Sequence, residues 1–115
     1  MIEMFDCVDE NDCVLGQESR EEVHRKGIYH RAVHIFARSD SGKWILQRRS
    51  AEKDTEPLLW TTTCSGHVDA GESYEDAAIR EFQEEVGVEV NHLELLELLR
   101  LSPCLETGNE FVRVY

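Results

Sequence analysis

Three glutamates on one predicted helix could bind a metal ion. Glu81, Glu84 and Glu85 are spaced at i, i+3 and i+4, so their carboxylates lie within about one third of the helix circumference. Like charges at these spacings repel one another unless cations occupy the arrangement. Mg²⁺ in particular is held by a few carboxylates together with substrate phosphates. A solvated acidic helix face would have the same spacing, so the triplet alone leaves both interpretations open.

The residues around this triplet follow a fixed pattern. Residues 66–88 read G-x5-E-x7-R-E-φ-x-E-E-x-G-φ, where φ is an apolar residue. This stretch resembles the Nudix box at every fixed position, and Phe82 is only bulkier than the aliphatic residue usual at its place. The fixed residues are Gly66, Glu72, Arg80, Glu81, Glu84, Glu85 and Gly87. The number of identities at set spacings makes this a highly specific signal.

The resemblance implies a hydrolase that cleaves a diphosphate bond in a nucleoside diphosphate derivative or another organic diphosphate. It implies an α/β fold (α+β), an α/β/α sandwich with a mixed β-sheet. It also implies Mg²⁺ or Mn²⁺ as the cofactor, which would neutralise the diphosphate and lower the pKa of an attacking water. The expected ligands are Glu81, Glu84, Glu85 and the carbonyl of Gly66.

The resemblance also implies catalytic roles. Arg80 is expected to orient Glu84 or Glu72 through a salt bridge rather than to touch substrate. Members of the family differ in their general base, so Glu84, Glu85 and the downstream Glu110 all stay candidates.

Segments outside the box resemble the Nudix branch related to isopentenyl-diphosphate isomerase and extend over nearly the whole chain. They are residues 5–12, 30–34, 46–50, 53–55 and 59–60. Isomerisation by allylic proton transfer is therefore an alternative reaction. The isomerases place a catalytic cysteine directly before the Gly-His pair, where this chain has Ser65, and Cys64 would face the opposite side of a strand. Because the chain also keeps the acidic triplet from which the isomerases depart, hydrolysis is favoured.

The isomerases have, in addition, two upstream metal histidines and a downstream Glu-Asn-Glu. His30 matches the second histidine, whereas Val23 stands at the first place with His24 beside it. The downstream motif reads Gly-Asn-Glu and ends at Glu110. His67 is either a metal ligand, like its isomerase counterpart, or a turn histidine bonded to backbone. A catalytically silent Nudix binding module is the third interpretation.

Substrate recognition is expected from a basic stretch. Its candidate phosphate-binding residues are Arg31, Arg48, Arg49 and Lys53, since the planar fork of arginine suits phosphate. Adjacent Arg48 and Arg49 point to opposite faces of a strand, so at most one should reach the site. For Trp60, core packing is favoured over stacking on a base, and Leu58 stands where related sequences often have glycine.

Two helices and two hairpins are predicted to position these residues. Ser19 and Ser73 begin the helices as N-caps, and Gly27 and Gly87 end them. The hairpins are residues 2–8 with 13–16, and residues 32–37 with 43–49. The leucines at 93–101 suit an amphipathic helix on periodicity alone, whereas residues 88–90 and 111–115 have the composition of strands.

Composition excludes several classes of protein. The 115 residues carry 24 acids against 12 Lys and Arg, a formal charge of -12, which argues against a general nucleic-acid binder. Eight bases fall between His24 and Lys53, and ten acids fall between Gly66 and Glu97. This segregation fits an anionic substrate bridged to acids by metal, although blocks of charge also make ordinary solvated faces.

The cysteines and the two ends of the chain suggest a cytoplasmic protein with one Nudix domain over residues 1–115. Four separate cysteines form no zinc or disulfide pattern, and neither a membrane span nor a signal peptide is predicted. The sequence stops inside an apparent strand, so a further strand and closing helix are expected to be missing. An open strand edge there would favour a homodimer.

Overall fold

The computed structural model describes residues 2–52 and 56–115, and the candidate Lys53 lies outside these residues. Its strands are β1 Met4–Val8, β2 Val14–Ser19, β3 His30–Ile35, β4 Ala37–Arg38, β5 Trp44–Ile45, β6 Gln47–Arg48, β7 Trp60–Thr61, β8 Cys64–His67, β9 Leu99–Leu101 and β10 Glu110–Val114. The helices are α1 Arg20–Lys26 and α2 Tyr74–Val86, with a short 3₁₀ helix at His92–Glu94. Neither described α-helix is long and apolar enough to cross a membrane.

Both predicted α-helices form with the predicted caps. Ser73 accepts a hydrogen bond from the amide of Asp76 at 3.1 Å, and Gly87 ends α2 in the left-handed conformation. Ser19 likewise accepts from the Glu22 amide at 3.2 Å to begin α1. Ser19 and Glu22 have the spacing of a capping box, in which the Glu22 carboxylate would also accept from the Ser19 amide, but that amide donates to Glu18 at 3.4 Å. The Glu22 carboxylate instead accepts two bonds from Arg25 at 2.6 and 3.0 Å, because a charged partner one turn away competes for it.

The central sheet is mixed, with strand order β8-β3-β10-β9. Strand β10 runs parallel to β3, and the other two pairs are antiparallel. The register places Glu110 beside His30 and His67 opposite Ala32. Because side chains alternate along a strand, His30, Glu110 and His67 share one face of the sheet, and Gly66 and Cys64 belong to the other.

Helix α2 packs on the face that carries Cys64. The core there is formed by Val33, Ile35, Cys64, Val68, Tyr74, Ala77, Ala78 and Tyr115. Phe82, which occupies an apolar position of the box, packs against this core but is only partly buried. His24 of α1 lies over the opposite face, next to His30 and His67. Each face of the sheet is therefore contacted by one of the two α-helices.

The second predicted hairpin forms only in part. Strand β4 pairs with β5, but β3 pairs with β8 and β10, and β6 pairs with β7. The leucine-rich segment is not the amphipathic α-helix that its periodicity allows. Asn91 caps a 3₁₀ helix of three residues, after which β9 joins the edge of the sheet beside β10. Pairing with β10 therefore determines the structure of this segment, whose apolar spacing alone did not distinguish a helix from strands.

Candidate active site and histidine cluster

Glu81 is held at the start of the acidic triplet by a close approach to strand β8. A Cβ atom added to Gly66 would lie 2.2 Å from Cδ of Glu81, so only glycine leaves room for this carboxylate. The side chain of Glu81 is 12% exposed, whereas that of Glu84 is 57% exposed. Burial raises the pKa of Glu81, and the charges of Glu84 and Glu85 raise it further, against an opposing effect of Arg80. Such a site favours a bound cation, which would relieve the repulsion among these acids.

Arg80 is the centre of an ion-pair network around Glu81. Its Nε and Nη2 donate to the two carboxylate oxygens of Glu72 at 2.8 and 3.0 Å. Its Nη1 donates to Glu81 at 2.8 Å and to Glu84 at 3.4 Å. Nη2 also donates to the carbonyl of His67 at 3.0 Å. The guanidinium therefore donates its hydrogen bonds to protein groups, as expected for a residue that orients Glu72 or Glu84 rather than touching substrate.

A second cluster lies on the opposite face of the sheet. Ring nitrogens of His24, His30 and His67 all lie within 4.8 Å of one another. Glu110 Oε2 is 3.2 Å from His30 Nε2 and 2.7 Å from His67 Nε2. Three imidazoles with one carboxylate are a donor set that fits a divalent transition metal.

The surroundings of this cluster fix its rings. His30 Nδ1 donates to the Ile28 carbonyl at 2.9 Å, which turns Nε2 toward Glu110, as second-shell bonds of metal-binding histidines do. Phe5 is buried and stacks on His30 and His67 with ring centroids 5.7 and 4.7 Å away. Burial alone would raise the pKa of Glu110, but the hydrogen bonds and charges of His30 and His67 outweigh it and lower the pKa to about 2. The Glu110 carboxylate thus lies within hydrogen-bond distance of both histidines.

His24 was only partly foreseen from the sequence. The isomerase pattern pointed to Val23, which is fully buried, with His24 as its neighbour. In an α-helix the two side chains point about 100° apart, so the buried valine packs inward while His24 turns to the histidines of the sheet. In the sequence, only the presence of a histidine next to Val23 indicated this ligand. The orientation of α1 determines that His24, and not Val23, reaches the cluster.

The candidate phosphate-binding arginines lie in separate environments. Arg31 donates to the side chain and the carbonyl of Asp12, both at 2.7 Å. Arg48 is exposed, and its Nε donates to the Leu58 carbonyl at 2.9 Å. Arg49 is half-buried, next to Arg48 on the chain. The arginine contacts to substrate stay predictions.

Cys64 and Ser65 point to opposite faces, as the sequence predicted. Cys64 is buried in the core beneath α2, and burial together with the charges of Glu81 and Glu85 raises the pKa of its thiol to about 12. Ser65 is exposed on the face of the histidine cluster. The chain therefore presents a hydroxyl at the place where an isomerase presents its catalytic thiol.

Comparisons with known proteins agree with this arrangement. Residues 28–115 match the family described as NUDIX domain. An uncharacterized Nudix hydrolase of Nostoc sp. is 39% identical over 99% of this chain and 68% of its own length. An isopentenyl-diphosphate Delta-isomerase of Serratia proteamaculans is 42% identical over 76% of this chain and 49% of its own length. Across three relatives named Nudix hydrolases, the chain spans 47 to 68% of their length.

A solved structure shows the same fold. The crystal structure of DR0079 from Deinococcus radiodurans superposes with a TM-score of 0.77 at 33% identity, covering 97% of this chain and 69% of that one. The mixed sheet with α2 across one face is thus the Nudix fold that the sequence predicted. The family match over residues 28–115, the identity to Nudix relatives and the shared fold show that the chain belongs to the NUDIX domain family.

Proposed function

We propose that this protein is a metal-dependent Nudix hydrolase that cleaves the diphosphate bond of a nucleoside diphosphate derivative or another organic diphosphate. The observation that carries the proposal is the position of Glu81. Its carboxylate rests against Gly66, where a methyl group would not fit, and Arg80 bonds it at 2.8 Å. Glu84 and Glu85 follow three and four residues later on the same helix, so the three acids share one side of α2 next to this close approach.

The proposed cofactor is Mg²⁺ or Mn²⁺. Its ligands would be Glu81, Glu84, Glu85 and the Gly66 carbonyl. When bound, the cation supplies charge neutralisation for the diphosphate and lowers the pKa of a water. Among the protein groups, Arg80 orients Glu81 and Glu72.

The general base is proposed to be Glu84 or Glu85, with Glu110 as the remaining candidate. Glu84 is supported by its exposure, because its carboxylate is open to a proton of the attacking water. Glu110 is already bonded to two histidines on the other face of the sheet, so it is placed less favourably for that proton.

The test is a substrate panel with Mg²⁺ or Mn²⁺ on the natural full-length protein. Nucleoside triphosphates, dinucleoside and sugar diphosphates and thiamine diphosphate are assayed for release of phosphate or monophosphate. Glu84→Gln and Glu85→Gln should each lower kcat about 100-fold or more, since each removes a metal ligand or a base. Glu89→Gln, at an exposed glutamate beyond the end of α2, is the matched control. Hydrolysis that survives both helix substitutions would contradict the proposal.

Isomerisation of isopentenyl diphosphate is the second candidate, and the histidine cluster is the observation that favours it. His24, His30, His67 and Glu110 form a metal-binding donor set on the face where Ser65 is exposed. The burial of Cys64 opposes this reaction, since the thiol is on the wrong face. Double-bond migration without phosphate release, abolished by Cys64→Ala or His67→Ala, would establish isomerisation instead of hydrolysis.

A further inference from the structure

The guanidinium of Arg80 is saturated with acceptors from the protein. It makes five hydrogen bonds, which is as many as it has N–H groups. The acceptors are Glu72 twice, the carbonyl of His67, Glu81 and Glu84. The bond to Glu84 is the longest of the five at 3.4 Å. Arg80 can therefore accommodate a further acceptor only by giving up one of these bonds.

One more carboxylate, that of Asp69, lies next to the same guanidinium. Its Oδ2 is 3.5 Å from Nη2 of Arg80, which is an ion pair without a hydrogen bond. The Asp69 backbone is fixed in the turn before α2, because its amide donates to the Glu72 carboxylate and its carbonyl accepts from the Glu72 amide, both at 3.0 Å. Burial raises the pKa of Asp69 and so do the neighbouring acids, whereas Arg80 lowers it. A closer contact with the guanidinium would therefore stabilise the Asp69 carboxylate.

Two acceptors of Arg80 are also proposed metal ligands. Glu81 and Glu84 both accept from Nη1, at 2.8 and 3.4 Å. When these carboxylates hold a cation, they offer less negative charge to the guanidinium, so both bonds from Nη1 weaken. The side chain of Arg80 is only 28% exposed, and a partly buried charge that loses its partners is unfavourable. Arg80 then needs another acceptor within reach.

The acidic triplet depends on Arg80 for a protein cation, because other arginines considered for phosphate binding have partners elsewhere. Arg31 donates to Asp12 at 2.7 Å. The guanidinium of Arg48 lies 5.9 Å from the ring centre of Trp60, an indole that is 66% exposed although core packing was expected for it. Changes of charge at the triplet must consequently be balanced through the contacts of Arg80.

We propose that Asp69 is a positioning residue, which takes up Arg80 when the glutamates of α2 bind the metal ion. This inference rests on the proposed function, which places the cation on these glutamates. The two bonds to Glu72 hold the guanidinium in place, so the 3.5 Å separation from Asp69 closes to a hydrogen bond with only a small movement. The exchange frees the metal ligands and keeps the charge of Arg80 paired. Asp69 thus acts through Arg80 and is not itself a ligand.

The test measures Mg²⁺ binding without substrate, by isothermal titration calorimetry on the natural full-length protein. Asp69→Asn should raise the dissociation constant about threefold or more, since it removes the acceptor that replaces the glutamates. Asp69→Glu should recover most of the affinity, because it restores a carboxylate at a half-exposed position. Glu3→Gln is the matched control, as it removes an exposed acid whose charge also acts on Asp69. It should change the dissociation constant by less than about 1.5-fold.

A double-mutant cycle distinguishes this function from a direct effect of the Asp69 charge on the cation. Asp69→Asn is repeated in Arg80→Gln, and in Arg80→Lys should the neutral variant not fold, because lysine lacks the planar fork that bonds two carboxylates together. If Asp69 acts through Arg80, its substitution should then change the dissociation constant by less than about 1.5-fold. An equal increase with and without Arg80 would assign the effect to the charge of Asp69 and overturn the exchange.

The same titration separates this inference from the proposed function. Mg²⁺ binding that Glu84→Gln weakens but Asp69→Asn leaves unchanged would overturn the exchange and leave the proposed metal site standing. A protein that binds neither Mg²⁺ nor Mn²⁺ would remove the cation from α2, and both proposals would fail together.

Discussion

At the scale of single residues, the candidate active site depends on a missing side chain. Gly66 lies in β8 with the Glu81 carboxylate directly against it, and a Cβ atom would be 2.2 Å from Glu81 Cδ. A methyl group at this place would displace the end of the Glu81 side chain, which accepts a 2.8 Å bond from Arg80. The glycine of the box is therefore needed for close approach and not for a special backbone angle.

Gly66→Ala should consequently lower the free energy of unfolding by about 1–3 kcal/mol and displace Glu81, with loss of hydrolysis. Urea unfolding and the diphosphate assay measure the two effects. Gly16→Ala is the control, because Gly16 has no neighbour within 4 Å of its added Cβ atom and it also lies in a strand. Its expected change is within about 0.5 kcal/mol. Equal changes in the free energy of unfolding for Gly66→Ala and Gly16→Ala would show that the contact between Gly66 and Glu81 does not affect stability.

Sequence spacing alone places the three acids of the box on one side of a helix, whereas it does not bring the histidine cluster together. Glu81, Glu84 and Glu85 are brought together by one helix, so their proximity follows from local geometry alone. His24 on α1 and Glu110 on β10 come from elements far apart in the chain, and Glu110 reaches His30 only because β10 aligns in parallel with β3. Periodicity within a segment holds no information about that alignment.

At the scale of elements, α2 is the part whose placement determines the acidic site. Its local signals all agree: the Ser73 cap, the apolar stripe and the left-handed Gly87. Such agreement is why its bounds could be predicted closely. The segment after it had conflicting signals, and Leu93 and Leu96 remain exposed while β9 is fixed by pairing with β10.

Ser73→Ala should cost about 1 kcal/mol of stability, because the Asp76 amide loses its 3.1 Å acceptor at the start of α2. Thermal unfolding followed by circular dichroism measures the change. Ser102→Ala is the comparison, at an exposed serine outside the described helices and strands. A loss at Ser102 as large as at Ser73 would indicate that the cap contributes nothing of its own.

At the scale of the whole molecule, residues 66–97, which include the proposed metal ligands, carry ten acids against one Lys or Arg. Arg80 is the single base among residues 66–97, and its contacts with Glu72, Glu81 and Glu84 already use it. The remaining acids of α2 repel one another in the folded state more than in an unfolded chain, where they are farther apart. Cations that bind the folded triplet should therefore stabilise the protein.

Mg²⁺ is expected to raise the melting temperature in a saturable way, and at 100 times its dissociation constant the linkage amounts to about 2.7 kcal/mol. Differential scanning calorimetry at constant ionic strength, with NaCl replaced stepwise by MgCl₂, separates site binding from general screening, since screening depends on ionic strength. The Glu84→Gln/Glu85→Gln double variant should lose most of the increment, and Glu89→Gln should retain it. An equal increment in all three proteins would place the stabilising cations elsewhere on the acidic surface and remove the thermodynamic support for metal binding by α2.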